Sequence, residues 1–329
     1  MPTLPHRPTR SSALALAAVA AAAIAAIAPA SSAIATPRGD AGSSGTISHK
    51  QIVPARGSST TPRAISRQEQ SGKAAHKPAG TNNGISYHGG PVLLGTTNVY
   101  YIWYGDWTQD PLAQPVLTDL ASNIGGSPYF NINTGYYNGS NQFVSNSVHY
   151  AGSTTDNYSL GPVLTDPTVQ TVVQNAISAG KLPLDTNAVY FVLTSPDVQE
   201  ATGFGFVYCG WHTNGTINGA DVKYSFVGDP ATAWMNTCAD QATGPNGGGG
   251  GDAMASVVAH ELEEAVTDPD LDAWYDSSGN ENADKCAWTF NPTYRASNGA
   301  LANMKLGTRD YLIQRNWVNA SGGYCALSF

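Results

Sequence analysis

The stretch Asp252-Ala-Met-Ala-Ser-Val-Val-Ala-His260-Glu261-Leu-Glu-Glu264-Ala-Val-Thr267-Asp268-Pro269 decides how the chain is read. Gly247 to Gly251 form a flexible approach, Asp252 suits an N-cap, and Pro269 ends the helix at or before Asp268. At about 100° per residue, Met254, Val258, Leu262, Ala265 and Val266 form one apolar stripe. His260 and Glu264 lie one turn apart beside it, with Glu261 about 100° round from His260.

This H-E-x-x-E pattern is a variant of the zincin H-E-x-x-H. Ligands at i and i+4 on a rigid helix can grip one metal, and the glutamate beside the first can act as general base toward a metal-bound water. A third ligand must come from elsewhere. Glu281 and Asp284 follow within a short loop, and His212 lies in Cys209-Gly210-Trp211-His212. His212 would leave a divalent ion with a net +1, as in catalytic His₂Glu sites. A carboxylate would leave it neutral, but loop length favours Glu281 or Asp284. The plain alternative is a solvated, glutamate-rich helix face or a satisfied core histidine. Against it, the helix is apolar around the motif, which places His260 at least partly in the core. Glu263 points away from the ligand face and receives no role. Asp276 to Gly279 reads as a hairpin turn.

Working outward, Asn98 to Tyr104 and Ala188 to Leu193 read as buried strands, and Lys223 to Val227 as a third. Pro111 to Ile124 has helical spacing. A second helix starts with Asp166 as cap and Pro167 in the first turn, and stops at Gly180. Asn131 to Ser147 reads as loops and a hairpin, and Asp310 to Val318 as a closing strand. Strands interleaved with helices predict a single α+β domain (α/β-like), with a mixed twisted sheet covered by helices.

The chain has 329 residues, 41% hydrophobic and 12% charged, which is enough for a large core but low in charge for a soluble domain. Residues 1–35 carry Arg7 and Arg10 before an apolar run from Ala13 to Ala28, with Ala33-Ile34-Ala35 at cleavage-site spacing. They read as a signal peptide, since the run is short for a membrane anchor. Residues 36–85 read as a disordered basic linker. Residues 86–329 hold 7 basic and 22 acidic residues and form the folded domain, a candidate metallohydrolase domain. That acidity excludes a nucleic-acid binder, and no membrane association is expected after signal cleavage. Cys209, Cys238, Cys286 and Cys325 suit an oxidising compartment. Three pairings are open. Cys209 with Cys238 and Cys286 with Cys325 is preferred, since each closes one local loop.

Several blocks together resemble the EXORDIUM or phosphate-induced protein family, known chiefly from plant cell walls and with bacterial members. They are Tyr87-His88-Gly89-Gly90-Pro91, Val99 to Gly105, Asp156-x-Tyr158-Ser159-Leu160-Gly161, Val192-Leu193-Thr194-Ser195-x-Asp197-Val198 and Cys209-Gly210-x-His212. Pro245-Asn246-Gly247, Val258 to Glu264, Ala273-Trp274-Tyr275, Glu281-x-Ala283-Asp284-x-Cys286, Gln314, Trp317 and Tyr324-Cys325 continue them. The resemblance covers residues 86–329. It implies a secreted protein of the extracellular space or cell wall, of the bacterial type, and in plants it goes with growth. It carries over to His260, Glu261 and Glu264, and to Cys209, His212, Glu281, Asp284 and Cys286. Glu263 departs from it, where alanine is usual, and the pentaglycine departs as well.

Two functions are weighed. The first is a secreted zinc-dependent, zincin-like metallopeptidase acting on a peptide or cell-wall polymer. Glu261 is its base, His212 an oxyanion stabiliser or ligand, and His260, Glu264, Glu281 and Asp284 its metal residues; another divalent ion is the alternative to zinc. The second is a non-enzymatic extracellular or cell-wall protein, carbohydrate-binding or growth-related, with a structural metal or polar site. No G-x-S-x-G supports a serine hydrolase.

Overall fold

The computed structural model describes residues 50–58 and 83–329. The signal peptide and most of the linker lie outside the described residues. A six-stranded sheet runs through β1 (Gln51–Pro54), β2 (Thr97–Tyr104), β3 (Val148–Asp156), β4 (Ala188–Thr194), β5 (Tyr208–Ile217) and β6 (Ala220–Gly228). Its order is β1-β5-β6-β4-β2-β3. Strands β3, β2, β4 and β6 are parallel, β5 runs against β6, and β1 runs against β5. This is the mixed sheet of an α+β domain. Every residue of β4 is buried, as its unbroken apolar run requires of a central parallel strand. Among the described residues, no helix is long and apolar enough to cross a membrane.

Three helices cover the sheet: α1 (Ala113–Asn123), α2 (Asp166–Ser178) and α3 (Gly250–Thr267). Helices α1 and α3 pack together, and α3 lies on the sheet face that carries His212. Helix α2 meets the opposite face, where Asp166 holds Lys50. Thr165, not Asp166, caps α2 through a capping box with Thr168. Asp166 is thereby free to sit wholly buried against Lys50 Nζ at 2.6 Å.

Strand β1 lies inside the span read as a disordered basic linker. Composition suggests a spacer there, but Ile52 and Val53 are fully buried on the sheet edge. Lys50 is also buried, over the ring of Tyr208 and bonded to Asp166. Two apolar residues in a polar stretch are too few to stand out in a sequence, yet a sheet edge needs no more to pair.

Strand β5 was not recognised in the sequence, although the hairpin that makes it has a clear signal. Asn218 and Gly219 have φ of 51° and 82° and join Ile217 to Ala220 as a two-residue turn. Both φ values are positive, the type I′ requirement that favours Asn-Gly. The turn fixes the β5–β6 register, setting His212 opposite Ser225, and β1 pairs along the other edge of β5 with Gln51 opposite His212. The closing strand expected over Asp310 to Val318 is two pieces, Arg309–Tyr311 and β7 (Asn316–Val318); β7 pairs with β8 (Tyr324–Ala326). Between the pieces, backbone donors leave the ladder for side chains: Ile313 N–H donates to Asn303 and Gln314 N–H to Ser256.

Two disulfides, Cys209–Cys238 and Cys286–Cys325, leave no free thiol. They close loops of 29 and 39 residues, worth about 4 kcal/mol each on the chain-entropy account.

Helix α3 starts two residues before Asp252, and its first glycine is dictated by packing. A Cβ on Gly250 would lie 1.8 Å from Asp229 Oδ1. Asp229 follows β6, accepts the Ala231 N–H at 2.9 Å, and is 2% exposed. Burial pushes its carboxyl up to about 7; the Ala231 N–H opposes this and Asp110 adds to it. The folded value lies above the ordinary 3.8, so the folded state holds the proton more tightly. The contribution to stability is therefore full below about pH 4 and is lost as pH rises toward 7. Asp229→Asn is expected to flatten this decline, gaining on the order of a few kcal/mol on the wild type at pH 8 but little at pH 4. Urea unfolding of both proteins across that range checks it; equal slopes would refute it.

Candidate metal centre

Helix α3 is buried all round, so its carboxylates have no water to turn to. His260, Glu261, Glu263 and Glu264 are each 1% exposed or less. Two buried groups are brought to them from distant segments: His212 from β5 and Glu281 from the loop after α3. Asp284 opens a 3-10 turn (Asp284–Cys286) tied to β8 by the Cys286–Cys325 bridge, and its side chain is fully buried.

The loop after α3 is set by its own acids. Asp268 Oδ1 accepts the Ala273 N–H at 2.6 Å. Asp276 accepts the N–H groups of Ser278 and Asn280 and the Lys285 ammonium, which makes the expected turn. The Asp284 N–H then donates to Glu264 Oε1 at 3.0 Å, locking loop to helix. Gln51 from β1 donates to Asp284 Oδ2 at 2.9 Å and to the Gly279 carbonyl at 2.8 Å. Gln51 has no counterpart in the sequence reading, because it lies in the span taken for linker.

The distances define two overlapping groups. His260 Nε2 lies 3.0 Å from Glu264 Oε1 and 3.5 Å from Asp284 Oδ1. His212 Nδ1 lies 3.1 Å from Glu261 Oε2 and 3.5 Å from Glu264 Oε2, and His212 Nε2 lies 3.7 Å from Glu281 Oε2. Among the described residues, His260, Glu264 and Asp284 offer ligand atoms all within 4.8 Å of one another, and so do His212, Glu264 and Glu281. Glu261 belongs to neither set. It faces His212 Nδ1 at 3.1 Å, and His212 Nε2 lies nearer Glu281. Glu263 points to the other side, where Asn316 donates to it, and Asn133 holds Asn316 in turn.

Burial pushes the Glu264 carboxyl up to about 7, reinforced by Asp284 and opposed by His260. Burial also drives Glu261 well above the carboxylate range, with Glu264 adding to the effect. His212 is pushed down to about 3 by burial, opposed by the Asp268 backbone. His260 goes the other way: burial alone would lower it, but Glu264 and Asp284 together raise it well above 6.5.

The polar atoms fit a cation. His212 Nε2, both ring nitrogens of His260, Glu261 Oε1, Glu264 Oε2 and Asp284 Oδ1 are buried without a hydrogen-bond partner. His260 Nε2 has Glu264 at 3.0 Å but no hydrogen-bonding alignment. Native interiors seldom leave so many orphans together. Imidazole nitrogens and carboxylate oxygens are the donors of zinc and similar ions, and bonds of about 2.0–2.2 Å to one ion give donor separations like those seen.

These features describe an α+β protein with a buried histidine–carboxylate cluster between sheet, helix and loop. The model for the phosphate-induced protein 1 conserved region matches residues 85–311, and the chain belongs to that family. Its curated relatives include "Protein EXORDIUM-like 5" of Arabidopsis thaliana, 31% identical over 71% of this chain and 75% of the relative. "Protein EXORDIUM-like 3" of the same plant is 30% identical over 77% of this chain and 86% of the relative. "Protein PHOSPHATE-INDUCED 1" of Nicotiana tabacum is 28% identical over 59% and 68%. No solved structure matches the chain. All six residues of the cluster lie inside the matched region, whereas Gln51 lies outside it.

Strand β5 reaches α3 closely because Gly210 has no side chain. A Cβ there would lie 2.5 Å from Val257 Cγ1, 2.9 Å from the Phe226 carbonyl and 3.2 Å from Glu261 Oε1. Gly210→Ala is expected to cost about 1–3 kcal/mol by overpacking. Thermal unfolding measures it, and an unchanged midpoint would show that strand and helix part freely.

Proposed function

We propose that this chain is a non-enzymatic extracellular or cell-wall protein, in which the histidine–carboxylate cluster is a structural cation centre. One observation carries the reading: every side chain of the cluster is 2% exposed or less. Structural metal sites are closed, whereas a catalytic site keeps a position open to substrate. The H-E-x-x-E helix offers zincin-like residues, but the Glu261 side chain is fully buried. The fully engaged cysteines support an oxidising, extracellular setting, as does kinship with proteins named EXORDIUM and PHOSPHATE-INDUCED.

His260, Glu264 and Asp284, or His212, Glu264 and Glu281, would hold the cation, and Glu261 would orient His212. A bound divalent ion supplies positive charge to groups that water no longer reaches. In this reading β5, α3 and the loop over residues 276–286 are joined at one point.

Calcium- and zinc-free buffer with chelator is expected to lower the melting temperature by roughly 10 °C or more, because several buried carboxylates lose their counter-charge. No peptidase activity is expected in either condition. Chelator-sensitive peptide hydrolysis that disappears in Glu261→Gln, with metal retained, would establish the hydrolase reading instead.

A wall polymer is the ligand class the surface supports. Phe206 is 71% exposed and stacks edge-on against Trp234 at 4.2 Å. Both line a cleft of about 660 Å³ with Asp197, Gln199, Glu200 and Thr202. Aromatic faces beside hydrogen-bonding side chains suit sugar rings. Phe206→Ala with Trp234→Ala is expected to weaken binding to insoluble wall polysaccharide about tenfold in a pull-down of folded protein, with some loss of melting temperature because Trp234 packs partly on the core. Equal binding by wild type and double variant would count against this surface.

A further inference from the structure

We infer that the cluster holds two divalent cations bridged by Glu264, one on His260 and Asp284 and the other on His212 and Glu281. This deepens the proposal that the cluster is a cation centre, and rests on it.

The first ground is geometric. The ligating atoms fall into two sets of three, each within 4.8 Å, and Glu264 is common to both. Its two oxygens reach different histidines: Oε1 is 3.0 Å from His260 Nε2, and Oε2 is 3.5 Å from His212 Nδ1. A carboxylate with one oxygen in each set is the bridge that paired metal sites use, with ions about 3.5–4 Å apart.

The second ground is the distribution of orphaned atoms. His260 Nε2 and Asp284 Oδ1 are unpartnered in the first set, and His212 Nε2 and Glu264 Oε2 in the second. All four side chains are buried, with 1% exposure or less. One ion in the first set would leave the second set's donors uncompensated. His212 is also prepared for ligation: Glu261 faces its Nδ1 at 3.1 Å, which leaves Nε2 for a cation.

The third ground is charge. Glu261, Glu264, Glu281 and Asp284 converge on two imidazoles, whereas the nearby buried ammonium of Lys50 is engaged by Asp166. Two divalent ions balance four carboxylates. One ion alone would leave negative charge to be neutralised by protons on these same groups, at a site that water does not reach. Glu263 lies outside this balance, on the Asn316 side of α3.

The test is zinc stoichiometry. The secreted protein is equilibrated with zinc, desalted, and examined by native mass spectrometry and elemental analysis. Two zinc ions per chain are expected. One ion per chain would overturn the two-cation inference and leave the structural centre standing, and none would overturn both. Three variants add an independent readout. Asp284→Asn and Glu281→Gln are each expected to retain one ion, and Glu264→Gln none. If Glu264→Gln keeps an ion while folded, the bridge is wrong. Should a variant fail to fold, the wild-type stoichiometry still decides.

Discussion

A carboxylate taken out of water must be met by positive charge or by donors, and α3 carries three of them into the core within four residues. Everything around the helix answers to that demand. Glu263 is met by Asn316 from β7, and Asn133 braces the asparagine. Glu261 is met by His212 from β5. Glu264 is met by the Asp284 N–H and by His260. These partners come from segments as far apart in the chain as Asn133 and Asn316, so the helix can be buried only after sheet and loop have closed on it. A point that requires several distant elements at once makes folding cooperative, because no part of it is stable alone.

The sheet order gives this cluster its place. Strand β5 is the antiparallel insertion between β1 and β6, and its register sets His212 beside Gln51 on the face toward α3. Alternation along the strand then turns Gly210 to the same face and Trp211 to the other, where it packs near Tyr224 and the Lys50 ammonium. One strand thus serves both layers. On one side it brings His212 and a glycine-sized gap for the helix. On the other it supports a buried ion pair, Lys50 with Asp166. The disulfides secure the two ends of this arrangement, Cys209 within β5 and Cys286 at the end of the turn that carries Asp284.

The family kinship and the geometry bear on different questions. The matched region, residues 85–311, contains every cluster residue, which ties the cluster to the part of the chain shared with EXORDIUM-type proteins. It does not include β1 or the β7–β8 hairpin. Those outer elements supply Gln51, which donates to Asp284 in the cluster, and Asn316, which donates to Glu263 on the other side of α3. The acids and histidines therefore sit within the shared frame, and the amides that hold two of them come from its borders.

The amino-acid sequence alone determined the helix and its contents. Period and caps place His260, Glu261 and Glu264 on α3, because helical geometry is local and its signals lie within one segment. Strands β2, β4 and β6 were legible for the same reason, through β-branched and aromatic runs. The sequence also nominated His212, Glu281 and Asp284 by their chemistry, but it could not choose among them. Only tertiary structure shows that all three converge, on two sides of Glu264, since convergence depends on strand order and register rather than spacing. Only tertiary structure finds β1 and Gln51, because two apolar residues, Ile52 and Val53, make a strand when an edge is waiting for them. It also shows where Glu261 lies: its place beside His260 in the sequence suggests a base, and in the fold it is buried with Oε2 3.1 Å from His212 Nδ1.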